Sequence, residues 1–406
     1  MKIAVLSDSP TICTGYRNQM TQIVRHLKSQ GHEIMYLSNG YMGADIEKLT
    51  LVGGEEFDYP IIGHDQNDAY FNRTMSQRLK EFKADRFIIL LDTFMLYPWL
   101  LERDLSPAKS FFYFPSDGGG GLPKGCEQIL RKVDCPIAMA EFGQKQVKDY
   151  HNLDVKHIPH CVDAMSFYQL PQDERTELKK KFGLTDKFVI GVVARNQPRK
   201  NLDRTIKAMR LIADKIPEAV LFLHLDPDDP AQPIWKIREL VKKFNLENRV
   251  VYSGMSAVSG FPQNQMNEVY NVMDCFLLTT SGEGFGIPII EAMSCQVPVV
   301  ATDYTTTPEL IIKNNAGLGI KLAGVEQLDL FALKSQDYDK SSFNGTQIGS
   351  WEVERGICDI EHAASQVKFL YDNPVTAKKI GSNGRTAVVT KYNLPVVMAQ
   401  WDEVLK

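Results

Sequence analysis

Apolar runs that fail to alternate with polar residues constrain this chain more than any other feature. The stretch "RFIILLD" (86–92) carries five apolar residues in a row. A strand with one wet face alternates. An unbroken run belongs to a strand buried on both faces, as in a parallel sheet covered by helices. Such runs recur along the chain: "KIAVLS" (2–7), "EIMYLS" (33–38), "KSFFYFP" (109–115) and "CPIAMA" (135–140). Amphipathic segments separate them, among them "YRNQMTQIVRHLKSQG" (16–31), where Gly31 signals a helix C-terminus.

The series breaks at "HIPHCVDAMSFYQLPQDER" (157–175), where Pro159 and Pro171 bracket irregular sequence. A linker is expected at about 160–172. The series then restarts with "KFVIGVVA" (187–194), "EAVLFLHL" (218–225), "RVVYSG" (249–254), "DCFLLTT" (274–280) and "VPVVAT" (297–302). Two consecutive strand–helix series predict an α/β chain of two facing, Rossmann-like, doubly wound domains, 1–165 and 172–385. Residues 386–406 end in an amphipathic helix from Pro395, expected to return to the first domain with Trp401 in the contact. Residues 323–354 show weak periodicity and read as a loop or insertion.

Bulk numbers exclude several classes. The 406 residues carry a net charge of −4, unlike a protein that coats nucleic acid. The seven cysteines are odd in number and include no Cys-x-x-Cys, so neither a zinc site nor a disulfide framework is implied. Free thiols fit a reducing compartment, and a cytoplasmic location is expected. "MKIAVLSDSP" reads as a first strand rather than a signal peptide, because its apolar run is short and a turn follows at once. No window reaches the length of a membrane span, which leaves peripheral membrane contact open.

The stretch "SGEGFGIPIIEAMSCQVPVVAT" (281–302) carries the chemistry. It follows a strand, and in open α/β sheets ligands bind beyond the C-terminal strand ends. Gly284 and Gly286 allow close backbone approach. Pro288 suits a first helical turn, and a helix N-terminus offers N–H groups to phosphate. Glu291 is expected in that first turn. Carboxylates there would accept hydrogen bonds from hydroxyls, so Glu283 and Glu291 on either side of a phosphate cradle describe a nucleotide sugar. The plainer reading is an exposed Glu-Gly turn, with Glu291 as a favourable helix charge. A second motif, "VVARNQPRKNLD" (192–203), places Arg195 and Lys200 after another strand, where two cations could neutralise a diphosphate without a metal.

Arg195-x4-Lys200 and Glu283-Gly-Phe-Gly-x4-Glu291, about ninety residues apart, resemble the retaining glycosyltransferases of family 4, which have the GT-B fold. "IPHCVD" (158–163) is similar to that family's Asn-Gly-Val-Asp segment, with His160 and Cys161 as departures, and "KKIGSNGRTAVVTKYN" (378–393) matches its C-terminal pattern. The resemblance is strong over 186–320 and 375–400 and loose in the first half. It implies that Arg195 and Lys200 hold the diphosphate and Glu291 accepts ribose hydroxyls. Glu283 would contact sugar hydroxyls, and the Gly284–Phe285–Gly286 backbone would meet the donor sugar and phosphate. Gly15 lies where the family brings a glycine near the donor phosphates, with Asp8 and Thr14 on the acceptor side. At the end of "FFYFP" the family often has a histidine. This chain has Ser116 and Asp117, so Asp117 is either a changed contact to the reacting sugar or a turn residue opening Gly118–Gly121.

The resulting expectation is a metal-independent, cofactor-free, retaining hexosyltransferase. It would use a nucleotide diphosphate sugar, GDP-mannose ahead of UDP-glucose, and a glycan or other hydroxyl acceptor, with no nucleic-acid partner. The donor would sit on the second domain and the acceptor on the first, with Asp117 among the catalytic groups. Alternatives are a sugar-nucleotide 2-epimerase, a non-catalytic nucleotide-sugar binder and a transferase acting on modified DNA. Asp226-x-Asp228 could hold a divalent cation, but its prolines favour a turn. His160 reads as structural rather than catalytic.

Overall fold

The computed structural model describes residues 1–51, 54–96, 99–123, 125–229, 235–256, 261, 265–329 and 352–406. They form two compact units. The first comprises 1–160, 327–354 and 397–406, and the second 161–326 and 355–396.

The first unit is built on seven parallel strands: β1 (Lys2–Asp8), β2 (Glu33–Asn39), β5 (Ile61–Ile62), β6 (Arg86–Leu90), β7 (Lys109–Phe114), β8 (Cys135–Ala138) and β9 (Lys156–His157). Their order is β5-β2-β1-β6-β7-β8-β9, and a small antiparallel pair, β3 (Leu49–Thr50) and β4 (Glu56–Phe57), stands outside it. The apolar runs read in the sequence are the central strands, buried on both faces as their lack of alternation requires. The helix Gly15–Ser29 lays Met20, Ile23, Val24 and Leu27 on the sheet, and Gly31 follows it at φ 83°. Strand order reverses between β1 and β6, which makes their C-terminal ends a switch point.

The second unit repeats the plan. Six parallel strands, β10 (Phe188–Val193), β11 (Ala219–His224), β12 (Val250–Tyr252), β13 (Cys275–Leu278), β14 (Val299–Thr302) and β15 (Gly317–Ile320), run in the order β12-β11-β10-β13-β14-β15. Its core joins Ile190, Leu221, Leu277 and Val300 of the sheet to Ile206 and Met209 of the helix Leu202–Ala213 and to Val367 of the helix Ile360–Asp372. Here the order reverses between β10 and β13.

Three expectations about organisation change. The first boundary falls after His160 rather than at 165, and the segment expected as a linker is stitched into the second unit. Val162 accepts from Leu394 N and donates to Tyr392 O, and Arg385 donates to the carbonyls of Ala164 and Phe167. Asn267 and Asn271 accept from the amides of Tyr168 and Leu170. The returning piece begins at Val397, not 386. The stretch 323–354, expected as a loop, contributes to the paired strands β16 (Leu322–Asp329) and β17 (Glu352–Cys358), while its residues 330–351 lie outside the described residues. The alternation breaks midway: Leu322, Gly324 and Leu328 are half-buried and Ala323, Val325 and Gln327 exposed, but Glu326, between the two half-buried positions, is exposed as well.

Trp401 is 1% exposed and meets the Tyr113 ring edge-on at 5.2 Å, while Arg86 donates to Leu405 O at 3.1 Å. Residues 397–406 therefore complete the first unit's core. Trp401→Ala should cost about 3–5 kcal/mol in urea unfolding, the usual range for removing a buried aromatic.

Candidate active site

The second unit's site grows from the ends of β10 and β13, the two strands at its switch point. After β10 the chain reaches Arg195 and then the short turn Pro198–Lys200. Asn196 exchanges two hydrogen bonds with the Trp235 backbone, at 2.9 and 3.1 Å, and the indole donates to Gln197 O at 3.2 Å, which fixes one side of this loop. The other side is held by the loop after β13. Ser281 N and the hydroxyls of Thr280 and Ser281 all donate to Arg199 O, at 2.7, 3.1 and 3.1 Å.

Between these loops lies Glu283, 3% exposed. Lys200 Nζ donates to Oε1 and Arg199 Nη1 to Oε2, each at 2.6 Å, and Glu283 N donates to Thr305 Oγ1 at 3.0 Å. Burial alone would raise the Glu283 carboxyl. The Arg199 and Lys200 charges outweigh it and hold the carboxyl at about 2. Lys200 is itself buried and Arg199 half-buried, so one buried anion is held by two cations. The sequence paired Lys200 with Arg195. The structure pairs it with Arg199, while Arg195 lies 3.6 Å from the buried carboxylate of Asp229.

Gly284, Phe285 and Gly286 follow directly. Gly286 sits at φ 102°, and a Cβ there would meet Ile289 Cδ1 at 2.9 Å. This left-handed residue starts the helix Ile287–Ser294, with Pro288 in its first turn as expected. The Phe285 ring is buried against Tyr392, and Thr306 Oγ1 donates to Phe285 O at 2.6 Å. Glu291 lies in the second turn, not the first, because the helix begins only at Ile287. It is therefore no dipole-capping charge. It is 8% exposed, accepts from Tyr270 Oη at 2.5 Å, and burial pushes its carboxyl up to about 7.

In the first unit, Asp8 ends β1, Asp92 follows β6 and Asp117 follows β7, on three adjacent strands. Thr14 caps the helix Gly15–Ser29 by accepting from Arg17 N, and its hydroxyl donates to Asp8 Oδ2 at 2.7 Å. Gly15 is exposed at the helix start. Tyr16 Oη donates to Asp92 Oδ1 at 2.6 Å. Burial, and then the carboxylates of Asp92, Asp117 and Asp8, push the Tyr16 hydroxyl well above its ordinary value. The glycine loop after Asp117 is fixed rather than free: Gly119 N donates to Glu354 O, Gly119 O accepts from Glu354 N, and a Cβ on Gly118 would strike Val353.

The remaining candidates resolve into structural parts. His160 is buried, shares a 2.8 Å hydrogen bond with Tyr113 Oη, and is pushed down to about 3 by burial. Asp226 accepts from Asp228 N in a local turn, and Asp228 grips Arg238 with two oxygens. Sequence reasoning missed Arg199, Tyr270, Tyr16 and Asp92. Only Arg199 left a trace, as the neighbour of Lys200 in "PRK".

Residues 174–329, which contain the Arg199–Lys200–Glu283 cluster and Glu291, match the family described as glycosyl transferases group 1. Mannosylfructose-phosphate synthase of Agrobacterium fabrum is 28% identical over 181 residues, 43% of this chain and 38% of that protein, so the match spans well under half the relative's length. Sucrose-phosphate synthase from Thermosynechococcus elongatus superposes with a TM-score of 0.73 at 16% identity, covering 99% of this chain and 98% of that one. Anabaena HepE, solved with UDP and glucose, gives 0.72 at 16% identity, covering 100% and 99%. At such identities the superpositions establish the fold, GT-B, and nothing finer.

The two carboxyls should respond to pH in opposite senses. Glu283 is held below its unfolded value of 4.5, so its contribution is full above about pH 4.5 and fades as pH falls toward 2. Glu291 is raised above the same value, so ionising it costs stability progressively from about pH 4.5 to 7. Glu283→Gln should cost about 3–5 kcal/mol at neutral pH by stranding buried Lys200, and the gap to wild type should narrow in acid. Glu291→Gln should gain on wild type as pH rises through that window. Denaturant melts over the pH range check both.

Proposed function

Since residues 174–329 carry a domain of the group 1 glycosyl transferases, we propose that this chain is a retaining, metal-independent hexosyltransferase. It moves a hexose from a nucleotide diphosphate sugar to a hydroxyl acceptor such as a glycan. The observation that carries the reading is the cation-bound Glu283 carboxylate at the second unit's switch point, in one loop pair with Arg195 and one short helix from Glu291.

Arg195 and Lys200 supply positive charge for the departing diphosphate, worth most where water is excluded. Gly284 and Gly286 bring backbone to the donor. Glu291 accepts the ribose hydroxyls in place of the Tyr270 contact, and Glu283 reads hydroxyls of the transferred sugar. With its carboxyl near 2, Glu283 is far too weak a base to take a proton from an acceptor alcohol at neutral pH. That supports a mechanism in which the leaving phosphate takes the proton on the face it departs from, and product retains the donor's anomeric configuration. Rate then comes from positioning and from stabilising the leaving group. The strand-end carboxylates of the first unit, with Thr14 bonded to Asp8, receive the acceptor, and Asp117 is the catalytic candidate among them. A mannosyl donor is supported by the name of the Agrobacterium relative, a uridine glucosyl donor by the HepE ligands. GDP-mannose is the first choice and UDP-glucose the second.

A thermal-shift panel of nucleotide sugars tests the donor, because a site saturated at a hundred times Kd gains about 2.7 kcal/mol. Lys200→Ala and Glu291→Ala should each weaken donor binding by about 1.5–3 kcal/mol; Lys200→Ala should also lose stability, because it leaves buried Glu283 with one cation. Wild-type affinity in both would refute the donor assignment. Transfer should survive exhaustive EDTA; loss restored by Mn²⁺ would refute metal independence.

Asp117→Asn keeps the shape and removes the charge. It should lower kcat about a hundredfold with donor affinity nearly unchanged. A variant with full kcat would leave Asp117 a turn residue.

A further inference from the structure

The Glu283 carboxylate has two oxygens and about four lone-pair directions. Lys200 takes one on Oε1 and Arg199 one on Oε2, both at 2.6 Å, which leaves one direction on each oxygen unpaired among the described residues. The two cations are not equivalent. An ammonium is a point charge around which a carboxylate can swivel, whereas a planar guanidinium fixes direction. Arg199 Nη1 also donates to Gly282 O at 3.2 Å, so its side chain is anchored to the residue before Glu283. Its own carbonyl accepts three donors from Thr280 and Ser281. Arg199 is thus tied to the 280–283 loop through both backbone and side chain. It is the more exposed cation, its side chain 28% accessible against 8% for Lys200, so it stands on the solvent side of the carboxylate.

We propose that Arg199 is the positioning residue that orients the Glu283 carboxylate, so that its two free lone pairs are presented to hydroxyl groups of the donor sugar. This rests on the nucleotide-sugar reading above and adds to it a division of labour. Arg195 and Lys200 serve the phosphates, while Arg199 acts on the sugar only through Glu283. Flanked by two cations, the carboxylate stays ionised and only accepts hydrogen bonds. The site then selects sugars that offer hydroxyls there and discriminates against deoxy or O-methylated ones.

The test uses the full chain as wild type, Arg199→Gln and Arg199→Lys, with UDP, UDP-glucose, GDP and GDP-mannose as calorimetric probes. For the pair that wild type binds, Arg199→Gln should raise the Kd of the nucleotide sugar about tenfold or more and that of the nucleoside diphosphate less than about twofold. Arg199→Lys should recover most of the loss. Equal losses for both ligands would make Arg199 a phosphate ligand and overturn the proposal, as would no loss for either. In the ligand-free chain, the carbon-13 resonance of the Glu283 carboxyl should titrate at higher pH in Arg199→Gln than in wild type. An unmoved midpoint overturns the positioning role whatever the ligand. Wild type that binds none of the four probes overturns the nucleotide-sugar reading, a failure distinct from the previous ones.

Discussion

A buried carboxylate between two cations organises the second unit. Placing Glu283 out of water is costly unless both oxygens are matched, and a buried ion group missing one member is strongly destabilised. Arg199 and Lys200 come from the turn after β10, and Glu283 from the loop after β13. Satisfying the charge therefore forces two loops from adjacent strands into one arrangement. The hydroxyls of Thr280 and Ser281 on Arg199 O and the Thr305 contact to Glu283 N follow from that pairing. The loops could not relax independently without leaving a charge unmatched, which is the pre-organisation a ligand site requires.

The sequence showed the sheets well, because strands buried on both faces write themselves as unbroken apolar runs. It showed poorly those strands whose burial needs small residues. β15 reads "GLGI", and a Cβ at Gly317 would come within 2.4 Å of Val299 O, so close packing removed the side chains that would have marked it. At the site, glycine, phenylalanine and proline spacing located the loop and the helix start. The start near Pro288 was right, but Glu291 was placed one turn early: the helix begins at Ile287, which makes Glu291 its fifth residue. Arg199 and Lys200 are adjacent, and no spacing rule tells which cation meets which carboxylate. Tyr270 lies in a different helix from Glu291, and nothing in its surroundings announces the hydrogen bond.

The two units use the same sheet geometry for different electrostatics. At the second unit's switch point, cations outnumber the carboxylate they hold, whereas the ends of β1, β6 and β7 in the first bring three carboxylates around Tyr16. A diphosphate suits the former, and neutral polyhydroxyl groups that donate hydrogen bonds suit the latter. The fold supplies positions at strand ends, and the residues placed there divide the chemistry.

The first unit closes its core with Trp401, a residue made after the whole of the second unit. During synthesis, domains generally fold as they emerge, the N-terminal one first. Here 1–160 emerge from the ribosome with Tyr113 still lacking its indole neighbour and Arg86 still lacking the carbonyl of Leu405. The second unit has every residue of 161–326 and 355–396 in hand before residue 397 is added. The half of the molecule that is translated first is therefore the half that is finished last, and its nascent form must wait in the cell with an open apolar seam.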